Sequence, residues 1–300
     1  MSGVKLTFLG TGTSQGVPII ACRCPVCMSD DPRDKRLRAA ALVEVGGLTV
    51  LIDAGPDFRT QMIRAGVRHL DAILLTHNHM DHTGGLDDVR AFNYIDKKPA
   101  YVYCERKVME SLKVTYAYAF AEHKYPGSPE WRLRLIDEKP FVVTPNDDGE
   151  LVWMHDKGYG TRMPDGTVVP CGGDIVSLAQ RPQDSIDKGV TVIPIRGFHD
   201  SMPVLGFRFG DIAYITDVSS IPEQELSKLQ GLKHLTLNTV GYNPHHSHLS
   251  LREAVEMARR IGAGHTWLTH LSHAFPSHGE FASQLPDGID PAYDGLVITD

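Results

Sequence analysis

The sequence predicts an α/β protein in which layered β-sheets are covered by helices. Short β-type runs recur along most of the chain, helical periodicity lies between some of them, and a two-glycine turn joins two of the runs. The runs are 5–9, 41–45, 49–52, 72–75, 101–104, 191–195, 204–209, 212–216, 235–239 and 266–269. Gly46-Gly47 separates the second from the third and marks a hairpin. The clearest helical pattern is 251–261, with Leu251, Ala254, Val255, Ala258 and Ile261 on one face. Ser250 and Glu253 supply a capping box at its start, and Gly262 stops it.

Composition bounds the function classes. Three hundred residues, 42% hydrophobic and 22% charged, with 28 Gly and 19 Pro, are the usage of a globular protein. Disorder, collagen and coiled coil are excluded as descriptions of the whole chain. No apolar run approaches the roughly 20 residues that span a bilayer, and Met1-Ser2-Gly3-Val4-Lys5 leads into a strand with no apolar leader. A net charge of −7 opposes a broad grip on nucleic acid and leaves room only for a local basic pocket. The expectation is a cytoplasmic protein that touches neither membrane nor large nucleic acid. Five cysteines, an odd number, include the cluster Cys22-Arg23-Cys24-Pro25-Val26-Cys27, which suits metal ligation better than disulfides. Cys104 and Cys171 read as core or loop residues.

From about 123 to 188 the chain is rich in Pro, Gly and Asp and weak in periodicity. A linker, a lid and a small β-rich insertion all fit. Because chemical motifs flank it on both sides, the expectation is one domain over 1–300 with an insertion or lid at about 123–188.

Histidine is the most informative residue. His77-Asn78-His79-Met80-Asp81-His82 follows directly on the apolar run 72–75, placing four ligand-capable side chains in one turn at a strand end. Downstream, His199 follows run 192–195 and an expected turn Arg196-Gly197-Phe198, Asp217 closes 212–216, and His270 closes 266–269. Acids and imidazoles leaving strand C-termini are placed where α/β enzymes put ligands. Together these residues complete a donor count for two metals.

With Asp53 in Leu51-Ile52-Asp53-Ala54-Gly55, these motifs stand in an order that resembles the metallo-β-lactamase superfamily hydrolases, over 5–298. The resemblance implies an αββα sandwich of two mixed β-sheets flanked by helices, with two divalent metals, zinc or manganese. By it His77, His79 and His199 hold the first metal, Asp81, His82 and His270 the second, and Asp217 bridges them. Asp53 is then an orienting residue rather than a ligand. The opening Phe8-Leu-Gly-Thr-Gly-Thr-Ser-Gln-Gly-Val-Pro18, the three-cysteine cluster and Thr269-His-Leu-Ser-His273 resemble the PhnP-type cyclic phosphodiesterases of the carbon–phosphorus lyase system. That similarity implies a structural zinc on Cys22, Cys24, Cys27 and His273.

The loop Gly10-Thr-Gly-Thr-Ser-Gln-Gly16 is one residue too long for a dinucleotide fingerprint, and no Gly-Lys-Ser/Thr follows. It is expected to be a tight turn near the metals. His245-His246-Ser247-His248 precedes the capped helix and offers a substrate-facing acid or phosphate clamp. By the PhnP resemblance His248 is the acid, titrating near neutrality, with His246 as runner-up. Asp81 is expected to serve catalysis as well as a metal, and His246 and Ser272 to touch substrate. The function implied is a metal-dependent phosphodiesterase that opens small cyclic or nucleotide-like phosphodiesters with metal-activated water. An acyl hydrolase (thioesterase or lactonase) or a tRNA 3′-end processing nuclease on the same scaffold is the alternative, with a non-catalytic metal-binding protein least favoured. The partner expected is the small phosphodiester or nucleotide-like substrate, and a homodimer is compatible with the sequence.

Overall fold

The computed structural model describes residues 3–125, 127–145, 150–154, 158–162, 166–170 and 189–300. Among the described residues, strands form two seven-stranded sheets and one three-stranded sheet, with helices alternating between strands along the chain, so the expected α/β class holds. Residues divide into two compact units, one of 1–46, 138–140 and 192–300, the other of 47–137 and 141–191.

The second unit contains a parallel array. Strands β3 (Leu48–Ile52), β4 (Ala72–Leu74), β5 (Ala100–Cys104) and β6 (Trp131–Leu135) pair in that order, with Leu51 opposite Ile73 and Val102 opposite Leu133. The connections carry the helices Phe58–Ala65, Arg90–Asp96 and Arg106–Thr115. Burial on both faces explains why β3, β4 and β5 read as near-continuous apolar runs. Further along the same unit, Glu150–Met154, Gly158–Arg162 and Val168–Pro170 form an antiparallel three-stranded sheet. The stretch 123–188 therefore contains β-structure, and its first strand, Trp131–Leu135, belongs to the parallel array. Cys171 and the rest of 171–188 lie outside the described residues.

In the first unit, β1 (Lys5–Gly10) pairs antiparallel with β2 (Ala40–Val45) and with the C-terminal strand Val297–Thr299. The second array runs from Val190–His199 through Met202–Phe209 and Ile212–Tyr214 to His234–Asn238, His265–Thr269 and Ile289–Pro291. Its first three strands are antiparallel and the rest parallel. Ile195, Val204, Leu235, Leu237 and Leu268 are buried in a core that Ala254 and Ala258 of the helix Leu251–Ile261 complete. That helix has the boundaries its periodicity predicts. Glu253 N–H donates to Ser250 Oγ at 3.4 Å, Ser250 N–H donates to Glu253 Oε2 at 2.9 Å, and Gly262 adopts φ 70° beyond the last turn.

One local expectation is corrected. Arg196-Gly197-Phe198 is not a turn, because the strand continues to His199, which pairs with Met202. Gly197 permits this: a Cβ there would sit 2.3 Å from Val218 Cγ1. Ser250→Ala is expected to cost about 1 kcal/mol of unfolding free energy, read from urea melts, while Ser250→Thr retains most of it.

Candidate functional site

Among the described residues, donor clusters form in both units. In the second unit Asp53 follows β3 at φ 63°, and its carboxylate is fully buried. Its Oδ1 accepts from Thr76 N–H at 2.9 Å, and its Oδ2 accepts from Thr76 Oγ1 at 2.9 Å and lies 2.7 Å from His82 Nδ1. Burial pushes the Asp53 carboxyl above the ordinary carboxylate range, against the pull of His82 and Thr76. The Asp53 side chain thus lies against the His82 ring nitrogen. Thr76 Oγ1 also lies 2.9 Å from His77 Nδ1. The rings of His79 and His82 stand 4.6 and 4.3 Å from that of His77, centroid to centroid. Asp81 Oδ2 is 3.2 Å from His82 Nε2. Buried His77 and His82, half-buried Asp81 and exposed His79 thus share one turn, as their spacing predicts.

Glycine makes that turn possible. The backbone of 54–55 runs against the His-rich turn, with Ala54 N–H donating to His82 O and Gly85 N–H to Ala54 O, both at 2.8 Å. A Cβ on Gly55 would sit 1.9 Å from Asp81 O, closer than atoms approach.

In the first unit His199, Asp217, His248 and His270 gather. Asp217 is buried, its Oδ1 2.9 Å from His270 Nε2 and 3.4 Å from His248 Nδ1, and its Oδ2 accepts from Thr216 Oγ1 at 2.9 Å. The ring of His248 stacks on His270 at 4.8 Å and meets His199 edge-on at 4.5 Å. Ligand atoms of His199, Asp217 and His248 all lie within 4.8 Å of one another, a set that could hold an ion. Burial first, then His270, push the His248 imidazole down to about 3 against the opposing Asp217, so the ring is uncharged at neutral pH. His246 is exposed and stacks on His245 at 4.6 Å. Ser272 Oγ donates to Val240 O at 2.5 Å and accepts from Ala274 N–H at 3.1 Å, so its hydroxyl fastens its own loop.

Asp217 and His270 share with Asp53 a positive φ, at 57° and 56°. Each follows a strand C-terminus, and each such backbone costs about 1–3 kcal/mol, a cost that clusters at functional sites. Sequence reasoning missed Thr76 and also Asn238, whose Oδ1 accepts from Val218 N–H at 2.8 Å and whose amide donates to Val218 O, holding the backbone just past Asp217. A hydroxyl directly preceding the first histidine was the available signal for Thr76, and Asn238 had none.

The cysteine cluster also lies in the first unit. The Sγ atoms of Cys22, Cys24 and Cys27 stand 3.2, 3.4 and 3.6 Å from His273 Nδ1. Tetrahedral zinc with ordinary Zn–S and Zn–N bonds separates sulfur from nitrogen by about 3.5 Å, so the four donors fit that ion. Cys27 N–H and Ile19 N–H donate to Cys24 and Cys27 sulfurs, both at 3.4 Å. The first of these is the main cause that lowers Cys24 to about 6, while burial pushes Cys27 up to about 11.

The chain belongs to the metallo-β-lactamase superfamily: the beta-lactamase superfamily domain family matches residues 49–152 and 161–271. Among solved structures it is similar to a diphosphatase of the PhnP family, at 34% identity, 99% coverage of this chain, 97% of that one and a TM-score of 0.78. A zinc-bound PqqB from Methylobacterium extorquens shares the fold, with a TM-score of 0.64 and 17% identity over 98% of this chain and 99% of that one. A curated octanoyltransferase of Porphyromonas gingivalis is 35% identical over 98% of this chain. This chain spans only about half of that relative, 51% of its length. No helix among the described residues is long and apolar enough to cross a membrane.

Gly55→Ala is expected to destabilise the protein by at least about 1–3 kcal/mol, since the contact it creates is with backbone. An unchanged urea midpoint would contradict the close approach to Asp81.

Proposed function

We propose that the protein is a dinuclear metal-dependent hydrolase of small phosphodiester or diphosphate substrates, cyclic or nucleotide-like. The observation that carries this reading is the end-to-end similarity, at 34% identity, to a diphosphatase of the PhnP family. His77, His79 and His199 are assigned to one metal, Asp81, His82 and His270 to the second, and Asp217 to both. Imidazole and carboxylate suit zinc or manganese, and the cysteine cluster with His273 is assigned to a separate structural zinc. When bound, two divalent metals supply a water of lowered pKa and polarise a phosphoryl oxygen.

The chain's own residues do the rest. Asp53 and Thr76 keep His82 and His77 in fixed orientations. Asp217, fastened by Thr216, carries the negative charge that balances the cations. His248 is assigned the leaving oxygen. Burial and then His270 lower its pKa against the pull of Asp217, and an anionic phosphodiester beside the ring acts in the same sense as Asp217.

A second reading has one observation in its favour. The octanoyltransferase relative, 35% identical across nearly all of this chain, makes an acyl thioester a substrate worth testing. The metal-replete enzyme is expected to hydrolyse bis-p-nitrophenyl phosphate, and little octanoyl thioester, with Asp217→Ala lowering turnover by orders of magnitude. The reverse preference would move the assignment to acyl hydrolysis, and full activity of Asp217→Ala would sink the metal assignment.

His248→Ala is expected to leave metal content intact and to slow a 2′,3′-cyclic nucleotide about 10²–10⁴-fold. The loss on bis-p-nitrophenyl phosphate should be far smaller, because p-nitrophenolate leaves without a proton. Equal losses would make His248 a phosphate binder, and loss of metal would make it a ligand.

A further inference from the structure

One buried charge has no part in the chemistry above. Arg36 is 5% exposed and lies wholly inside the first unit. Its Nη1 donates to Thr11 Oγ1 at 2.9 Å and to Ala292 O at 2.5 Å, and its Nη2 donates to His278 Nδ1 at 3.2 Å. Three chain segments far apart in sequence therefore end on one guanidinium. Burial lowers Arg36 to about 10, still charged at neutral pH. His278 is pushed down to about 4, by burial first and then by Arg36, which keeps its ring a neutral acceptor.

Each contact leads to a donor cluster. Thr11 Oγ1 passes its own proton to Asp294 Oδ1 at 2.8 Å, and Thr11 O accepts from Leu271 N–H at 2.8 Å. Thr13 N–H returns to Leu271 O at 3.3 Å, so the glycine loop is laced to the residue directly after His270. A side chain on Gly12 could not sit there, since its Cβ would lie 2.9 Å from Arg36 O. On the other side, His278 N–H donates to Asp34 Oδ1 at 2.7 Å, and Asp34 Oδ2 accepts from Ser29 Oγ at 2.6 Å, two residues past Cys27. An unbroken polar chain thus runs from the cysteine loop through Asp34, His278, Arg36 and Thr11 to Leu271.

We propose that Arg36 is a positioning residue that sets the place of His270 from behind and ties it to the loop that carries the cysteine cluster. This rests on the assignment of His270 to a metal. The planar fork of arginine serves three acceptors in fixed directions, which the single ammonium of lysine does not. Arg36 touches neither metal donors nor substrate, so its loss acts through the backbone of 11–13 and 271.

The test is Arg36→Lys in the full chain, with Thr11→Val as a milder variant that removes one acceptor and no charge. Amide hydrogen exchange at Thr13 and Leu271 is expected to accelerate in both, more in the first, while Met28, bonded to Cys24 O, keeps its protection. Zinc affinity of the centre that includes His270, measured against a competing chelator, should fall about 10–100-fold. The thiolate-bound zinc stays, KM for bis-p-nitrophenyl phosphate is unchanged, and excess metal restores kcat. Unchanged exchange at Leu271 in both variants overturns the proposal, as does uniform loss of protection over the whole first unit. If His270→Ala leaves metal content and activity as in the parent, the metal assignment itself fails. Faster exchange at Leu271 on substituting Arg36 would then show the mechanical link alone, and the proposal as stated would fall with the assignment.

Discussion

Three side chains of the donor clusters, Asp53, Asp217 and His270, sit in a backbone conformation that L-residues avoid, and the hydrogen bonds around each hold it there. Each lies one to three residues past the end of a strand, where a sharp left-handed residue swings its side chain off the strand direction. Asp and His tolerate this conformation better than most residues, which narrows what these positions accept. The cost is carried by hydrogen bonds made on the spot. Asp53 takes both donors of Thr76, Asp217 takes the Thr216 hydroxyl, and the residue after His270 is laced to the glycine loop. The strain is thus local and so is its compensation.

Close backbone approach is the second constraint, and glycine marks where it acts. Gly55 allows the strand-end loop to lie on the His-rich turn, Gly12 allows the loop beneath His270 to lie on Arg36, and Gly197 lets a strand run on to His199. None of the three needs a positive φ, so the reason for glycine at these sites is space rather than torsion. Polar groups buried by this crowding are held to one another, as the low dielectric requires. Asp53 with His82 and Thr76 is one such network, and Arg36 with Thr11, His278 and Asp294 another.

Legibility in the sequence followed burial and periodicity. All ten expected strands exist, because apolar residues flanked by turn formers have few other fates, and the capped helix matches its pattern to the residue. Trp131–Leu135 escaped because arginine alternates with its apolar residues and suggests a solvent face. In fact Arg132 and Arg134 are both buried, and the Arg134 guanidinium lies 4.6 Å over the ring of Tyr101. Ile289–Pro291 and Val297–Thr299 are three residues each and exist through their pairing with longer strands, a contact no local pattern announces. The clustered residues were legible as candidate donors because metal chemistry restricts residue type. Their supports were not: Thr76, Thr216, Asn238 and Arg36 are ordinary residues whose importance comes only from what they touch.

The donor set does not by itself choose between phosphoryl and acyl chemistry, since a Lewis acid polarises both kinds of oxygen. The electrostatics of His248 offer a finer criterion. Its ring is held neutral by burial and by His270, with the charge of Asp217 too little to reverse them. A thioester presents no net charge at its reacting carbon and leaves that balance as it is, and a thiolate departs without needing a proton. A phosphodiester brings a full negative charge to the same place and expels an alkoxide that does need one. Of the two candidate substrates only the phosphodiester needs an acid, so the acid assigned to His248 has work only in the phosphodiester reading.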